Sequence, residues 1–294
     1  MIHTVSVTPA DDLQSVFDRA PANAVIRLAP GVYRQKTVIR TPGLTLIGAG
    51  ADKTVIIYDD YALKKDEQGR EYVTFRTYTM AVCADDVTMK DLSIVNDALH
   101  PEIKGQEVAL SVLGSGFLME NCTLTSTQDT LFAGPLPPDL IQRYDGFLMD
   151  ILRRGGELVQ TYRNCRIEGT VDFIFGCADA LFENCEIRSL NDVRNIGYVA
   201  APAHSLSQSK GLLFRNCRFT RETGVEDGSI YLARPWRDYG LARFENCTCE
   251  AHISPAGFDK WNDTNRDQTA RFYEHPAVPG RVGWINRDEA GPQM

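Results

Sequence analysis

A six-residue phrase, apolar–charged–Asn–Cys–polar–apolar, returns through the chain and constrains its fold more than any other feature. It reads Met119-Glu120-Asn121-Cys122-Thr123-Leu124, Tyr162-Arg163-Asn164-Cys165-Arg166-Ile167, Phe182-Glu183-Asn184-Cys185-Glu186-Ile187, Phe214-Arg215-Asn216-Cys217-Arg218-Phe219 and Phe244-Glu245-Asn246-Cys247-Thr248-Cys249. A sixth copy, Met89-Lys90-Asp91-Leu92-Ser93-Ile94, carries Asp-Leu in place of Asn-Cys. Successive cysteines lie 43, 20, 32 and 30 residues apart. A fixed phrase at such spacings is the mark of a solenoid. Apolar and polar residues alternate within it, which is strand periodicity. Asn-Cys between two strands suits a corner, with the Asn side chains of successive coils in a hydrogen-bonded ladder and each Cys inside as a small hydrophobe. The expected fold is all-β, a right-handed parallel β-helix, as a single catalytic domain over residues 1–294.

Composition fits a full core. The chain is 43% hydrophobic and 24% charged, with a net charge of −8. An acidic balance speaks against binding a phosphate backbone, so no nucleic-acid partner is expected. No apolar run approaches the roughly 20 residues of a membrane span, so no membrane partner is expected either. The N-terminus, Met1 to Gln14, has neither a basic n-region nor an apolar h-region, and a cytoplasmic location is the expectation. The eight cysteines form no C-x-x-C pair and are read as reduced and structural, with no metal site and no cofactor.

Thr8-Pro9-Ala10-Asp11 reads as a helix N-cap with Pro in first position, followed by apolar Leu13, Val16 and Phe17. Such a helix would close the first coil, before strands at Ala24–Leu28, Thr37–Ile39 and Leu44–Ile47. Leu63–Tyr72 is polar and reads as an exposed loop. Gly134–Gly156 interrupts the repeat with Leu140, Ile141, Tyr144, Phe147, Leu148, Ile151 and Leu152 at helical spacing. It reads as an inserted amphipathic helix, packed on the solenoid wall or against a cleft. Residues from about 252 to 294 read as a C-terminal tail. The pairs Asp11-Asp12, Asp59-Asp60 and Asp85-Asp86 read as solvated turns.

No G-x-S-x-G elbow, H-E-x-x-H or P-loop is present, so carboxylates are the candidates for chemistry. Asp129 and Asp172 each lie seven residues after a ladder Cys. Equal offsets from the repeat place them one above the other on adjacent coils, about 4.8 Å apart at the backbone. Two close carboxylates repel and one keeps a proton, which separates an acid from a base or nucleophile.

The chain resembles the pectin methylesterases. Gly31-Val32-Tyr33-Arg34-Gln35 is similar to the family's Gly-x-Tyr-x-Glu, and Gln106-Glu107-Val108-Ala109-Leu110 to its Gln-Ala-Val-Ala-Leu. Gln128–Leu131 and Asp172–Gly176 match its Gln-Asp-Thr-Leu and Asp-Phe-Ile-Phe-Gly. Leu232-Ala233-Arg234-Pro235-Trp236 is similar to Leu-Gly-Arg-Pro-Trp. The resemblance spans roughly residues 5 to 285 and implies the pectin lyase-like, single-stranded β-helix. It implies hydrolysis of C6 methyl esters of homogalacturonan or methylated oligogalacturonides, with no cofactor. Asp172 is then the nucleophile, Asp129 the general acid and base, Gln106 and Gln128 the oxyanion donors, and Arg234 the group that keeps Asp172 ionised. Thr79, Phe175 and Trp236 are implied substrate contacts.

The chain departs from the family at Gln35, Glu107 and Ala233, and in Gly257-Phe258-Asp259-Lys260-Trp261, where Phe replaces the first Trp of Gly-Trp-x-x-Trp. The aspartates are also unusually far apart in sequence, with the Gly134–Gly156 insertion between them. Two other readings are a depolymerising pectin enzyme and a non-catalytic carbohydrate-binding β-helix. Against the first, the Gly-His-Gly and Arg-Ile-Lys phrases of polygalacturonases are absent. Against the second, the resemblance leaves Asp129, Asp172 and Arg234 in place. An insertion that closes one end of the cleft would favour short methylated oligomers over polymer.

Overall fold

The computed structural model describes residues 3–98, 105–144 and 154–286. Its described strands form three sheets in which every pairing is parallel. Apart from the terminal coils, each coil contributes one strand to each sheet in turn. Chain handedness makes such parallel crossovers right-handed, giving a right-handed parallel β-helix.

The repeated phrase builds the corner between the ten-stranded and eight-stranded sheets. Its first residues stack at the strand spacing: the rings of Tyr162 and Phe182, Phe182 and Phe214, and Phe214 and Phe244 lie 4.8, 4.7 and 4.9 Å apart, all near-parallel. Met119 and Met89 continue this row through the strand register. The second residues, Lys90, Glu120, Arg163, Glu183, Arg215 and Glu245, alternate in sign up the outside. Ion pairs join Lys90 to Glu120, Arg163 to Glu183 and Arg215 to Glu245. Each exposed pair is worth at most about 1 kcal/mol, but a slip of one coil would set like charges against each other.

The Asn of the phrase is a backbone device. Asp91, Asn121, Asn164, Asn184, Asn216 and Asn246 all have φ between 51° and 56°. That left-handed conformation turns the chain through the corner, and Asn and Asp tolerate it best among non-glycine residues. The corner N–H groups of Asn121, Asn164, Asn184 and Asn216 donate to the next coil, at Arg163, Glu183, Arg215 and Glu245. One side-chain rung of the expected ladder is present, from Asn121 Nδ2 to Asp91 Oδ1 at 3.2 Å. The cysteines form a ladder too. The thiols of Cys165, Cys185, Cys217 and Cys247 donate to carbonyls of the preceding coil, at Met119, Tyr162, Phe182 and Phe214. Burial pushes the Cys122 thiol up to about 12, and all eight cysteines are unpaired in disulfides.

Helix α1 (Leu13–Arg19) closes the N-terminal end with Leu13 and Phe17 in the core. Its cap is Asp12, whose side chain accepts from Ser15 N–H. Thr8 to Asp11, read from sequence as the cap, is instead a separate turn closed by Asp11 on Thr8. The Gln14 amide pairs with both backbone groups of Val38, satisfying the terminal strand of the seven-stranded sheet. Gln35 joins the same closure, accepting from Leu13 N–H and donating to the Asp11 carbonyl.

In the insertion, helix α2 covers Pro138–Arg143, and residues 145–153 lie outside the described residues. Leu140 packs into an apolar cluster with Phe75, Phe132, Phe175 and Leu136 on the outer face of the seven-stranded sheet. Asp60 departs from its expected place in a solvated turn. It is buried between Lys36 and Lys64, both at 2.5 Å, and anchors the loop that leads to Phe75. Arg271–His275 forms the tenth strand of the largest sheet, inside the stretch read as a tail.

Candidate active site

The seven-stranded sheet sends alternate residues inward and outward. Ile174 enters the main core, while its neighbour Phe175 joins the outer cluster. The outward row opens onto a cleft of about 430 Å³. Gln106, Gln128, Asp129, Asp172, Phe175, Arg234 and Trp236 all line it. Thr79 is not brought there. It is fully buried, and its hydroxyl donates to the Val95 carbonyl. Thr74 and Phe75, a few residues earlier, line the cleft in its place.

The two aspartates stand on adjacent coils, as their equal offsets require. Leu131 pairs with Ile174, and Asp129 N–H donates to the Val171 carbonyl. Asp172 lies at a register shift between Val171 and Ile174 against the following strand, Gly197–Pro202. There Arg234 grips it bidentately, Nε to Oδ1 at 2.8 Å and Nη2 to Oδ2 at 2.6 Å. The guanidinium is itself sandwiched, 3.7 Å from the Tyr198 ring centre and 4.2 Å from that of Trp261. An Arg held between two rings and a carboxylate has little freedom to leave it.

Burial and charge separate the two carboxyls. Burial raises Asp129 well above the ordinary carboxylate range, and the neighbouring Asp172 charge adds to that. Burial also raises Asp172, but the Arg234 hydrogen bonds and charge oppose it. Asp172 therefore ionises first, and Asp129 holds its proton beside it.

Phe175 meets Trp236 edge to face at 5.7 Å, and the Arg237 guanidinium lies over the Trp236 ring at 4.7 Å. Arg237 also forks onto Asp139 of α2 at 3.2 and 2.7 Å. The insertion thus supplies a wall of the cleft, with Asp139, Leu140, Arg143 and Tyr144 all lining it. Among the described residues no cluster of three or more His, Cys, Asp or Glu is arranged to hold a metal.

Comparison with known proteins decides the relationship. The pectinesterase family model matches residues 4–135 and 156–284. The chain belongs to the pectinesterase family. It is 30% identical over 95% of its length to pectinesterase 31 of Arabidopsis thaliana, covering 85% of that protein. It superposes on pectin methylesterase PemA from Erwinia chrysanthemi with a TM-score of 0.76 at 25% identity, over 95% of this chain and 91% of that one. A pectin methylesterase in complex with a hexasaccharide gives a TM-score of 0.75 at 26% identity, over 94% of this chain and 88% of that one. This pectinesterase therefore hydrolyses carboxylic esters, the methyl esters of pectin.

Several residues that line the cleft or brace those that do carry no signal in the sequence taken alone. Tyr198 opens an ordinary apolar run, and Phe75 lies between Thr74 and Arg76 in no recognisable motif. Arg194, whose Nη1 reaches Gln128 Oε1 at 3.1 Å, comes from an irregular loop. Trp261 was detectable as the second aromatic of Gly257-Phe258-Asp259-Lys260-Trp261.

Proposed function

We propose that Asp172 is the nucleophile and Asp129 the general acid and base of pectin methyl ester hydrolysis. The observation that carries this is the Arg234 fork on Asp172 beside a buried Asp129 without such a fork, whose carboxyl burial pushes well above its ordinary range. Each carboxylate oxygen retains lone-pair capacity beyond its bond to Arg234, so Asp172 remains able to attack. Its oxygen bonds to the C6 carbonyl carbon, and the carbonyl electron pair moves onto oxygen. Gln106 and Gln128 donate to that oxyanion, each contribution on the order of 3 kcal/mol. Collapse expels the methoxy group, which takes the Asp129 proton and leaves as methanol. Asp129, now ionised, accepts a proton from water as the water attacks the acyl carbon, and Asp172 departs as carboxylate.

A bound hexasaccharide in a related structure supports an oligogalacturonide as a ligand here. The α2 wall lies in the stretch between the two segments that match the family model. It supports the finer reading that short methylated oligomers are preferred to polymer. Methanol release from oligomers and from polymer at equal ester concentration tests this, and a preference for polymer overturns it.

The assignment itself is tested by methanol release from methylated oligogalacturonides, with new reducing ends and unsaturated products followed in the same samples. Methanol alone, lost in Asp172→Asn and in Asp129→Asn, is the expected result. Methanol release that survives Asp172→Asn overturns the nucleophile assignment. New reducing ends or unsaturation overturn the esterase reading.

A further inference from the structure

Asp192 holds Arg194 as a fixed fork. Nε donates to Asp192 Oδ1 at 2.7 Å and Nη2 to Oδ2 at 2.5 Å, and Nη2 also reaches Thr170 Oγ1 at 3.5 Å. The remaining arm, Nη1, donates to Gln128 Oε1 at 3.1 Å. A guanidinium has donors only, so the end of the Gln128 carboxamide that meets it must be the carbonyl oxygen. The amide NH₂ then occupies the opposite end, away from Arg194 and beside the Asp129 carboxyl, with which Gln128 also hydrogen-bonds. An Asn or Gln side chain is ordinarily free to present either end to a ligand. Here the Arg194 charge fixes the oxygen end, and the Asp129 carboxyl meets the other.

We propose that Arg194 is a positioning residue for ester hydrolysis: it fixes the Gln128 carboxamide so that its NH₂, and never its oxygen, faces the reacting carbonyl. The inference rests on the reading of Gln128 as an oxyanion donor. The physical gain is twofold. A carboxamide turned the wrong way would set an acceptor against the developing negative charge, and the Arg194 contact removes that state. A carbonyl bonded to a cation also polarises its own N–H groups, which strengthens the bond they donate. Arg194 has a second available role, as a charge acting through space on both aspartates, whose carboxyls it favours in ionised form. Its side chain is 44% exposed, so solvent screens that effect. The hydrogen bond to Gln128 is the contact that solvent does not replace in the same geometry.

A double-mutant cycle separates these roles. Arg194→Ala, Gln128→Ala and the double variant are compared for kcat and KM on a methylated oligogalacturonide, with folding checked by circular dichroism. Gln128→Ala is expected to lose about 10²-fold in kcat, as for removal of an oxyanion donor. Arg194→Ala is expected to lose about tenfold in kcat with KM nearly constant. The double variant is expected to match Gln128→Ala, because Arg194 acts through Gln128.

Arg194→Lys is expected to be as impaired as Arg194→Ala, since an ammonium cannot bridge Asp192 and Gln128 as the planar fork does. The pH profile of Arg194→Ala is expected to keep both its limbs. Multiplicative losses in the double variant, full rescue by Lys, or a shifted limb each overturn the proposal in favour of a through-space charge. A loss confined to KM overturns it in favour of substrate binding. Should Arg194→Ala fail to fold, Arg194→Gln repeats the cycle with the bulk of the side chain retained. A wild-type chain that releases no methanol overturns the esterase reading, and this proposal with it. An active wild type with independent losses overturns this proposal alone.

Discussion

Asp129 and Asp172 share a backbone conformation as well as a place in the coil: both are left-handed, with φ of 67° and 50°. Non-glycine residues adopt this region at a cost, and Asp and Asn bear it best. These two carboxylates are therefore held by the same backbone device that turns the Asn corners. Asp172→Ala should consequently be less stable than Asp172→Asn by at least about 1 kcal/mol. Urea midpoints of the two inactive variants check this, and equal midpoints would mean that the left-handed conformation carries no strain.

Arg234 opposes the upward push of burial on Asp172. Arg234→Gln should move the acidic limb of the kcat/KM profile to higher pH, because the carboxyl then ionises later. Activity at neutral pH should fall by at least about tenfold. A pH series on purified enzyme measures both. An unmoved acidic limb would show that Asp172 ionisation does not set it.

The raised Asp129 has a stability consequence of definite sign. Below the ordinary value of 3.8 both the folded and unfolded chains hold this proton, and no penalty arises. As pH rises above that value the unfolded chain ionises while the folded one does not, so stability declines until the folded pKa is passed. Asp129→Asn removes this decline. Its melting temperature should exceed that of wild type by an amount that grows from about pH 4 toward neutrality. Thermal melts across that range decide it, and a constant difference would contradict the raised pKa.

Trp236 offers a half-buried ring to the cleft, braced by Phe175 and Arg237. Trp236→Ala should raise KM about fivefold, corresponding to about 1 kcal/mol, with kcat little changed. Steady-state kinetics on a methylated oligomer test this. A fall in kcat alone would assign the ring to positioning of the site rather than to sugar binding.

At a corner far from the cleft, Asn184 has φ of 55°. Asn184→Gly should be nearly neutral, whereas Asn184→Ala should cost about 1–2 kcal/mol. Denaturant unfolding of both variants checks the order. Reversal of that order would contradict the role given to the corner.

The sequence alone determined the coil, and with it the pairing of Asp129 with Asp172. A strict repeat leaves few registers open: aromatic positions must stack, and Asn must fall where the chain turns left-handed. Equal offsets from Cys122 and Cys165 then become neighbours in space. The alternating signs from Lys90 to Glu245 were legible in the same way, because they occupy one position of the repeat.

Tertiary structure decided what periodicity does not reach. The loops between coils vary in length and obey no repeat, so the rings that clamp Arg234 and the fork that turns Gln128 emerge only when distant segments meet. Thr79, four residues after cleft-lining Phe75, points into the interior instead. Asp60 looked like a turn residue and became the buried partner of two lysines, since burial depends on what later packs over a loop. Which aspartate keeps its proton is likewise a property of the fold. The two stand at the same place in the repeat, and the Arg234 fork on Asp172, arriving from two coils farther on, sets them apart.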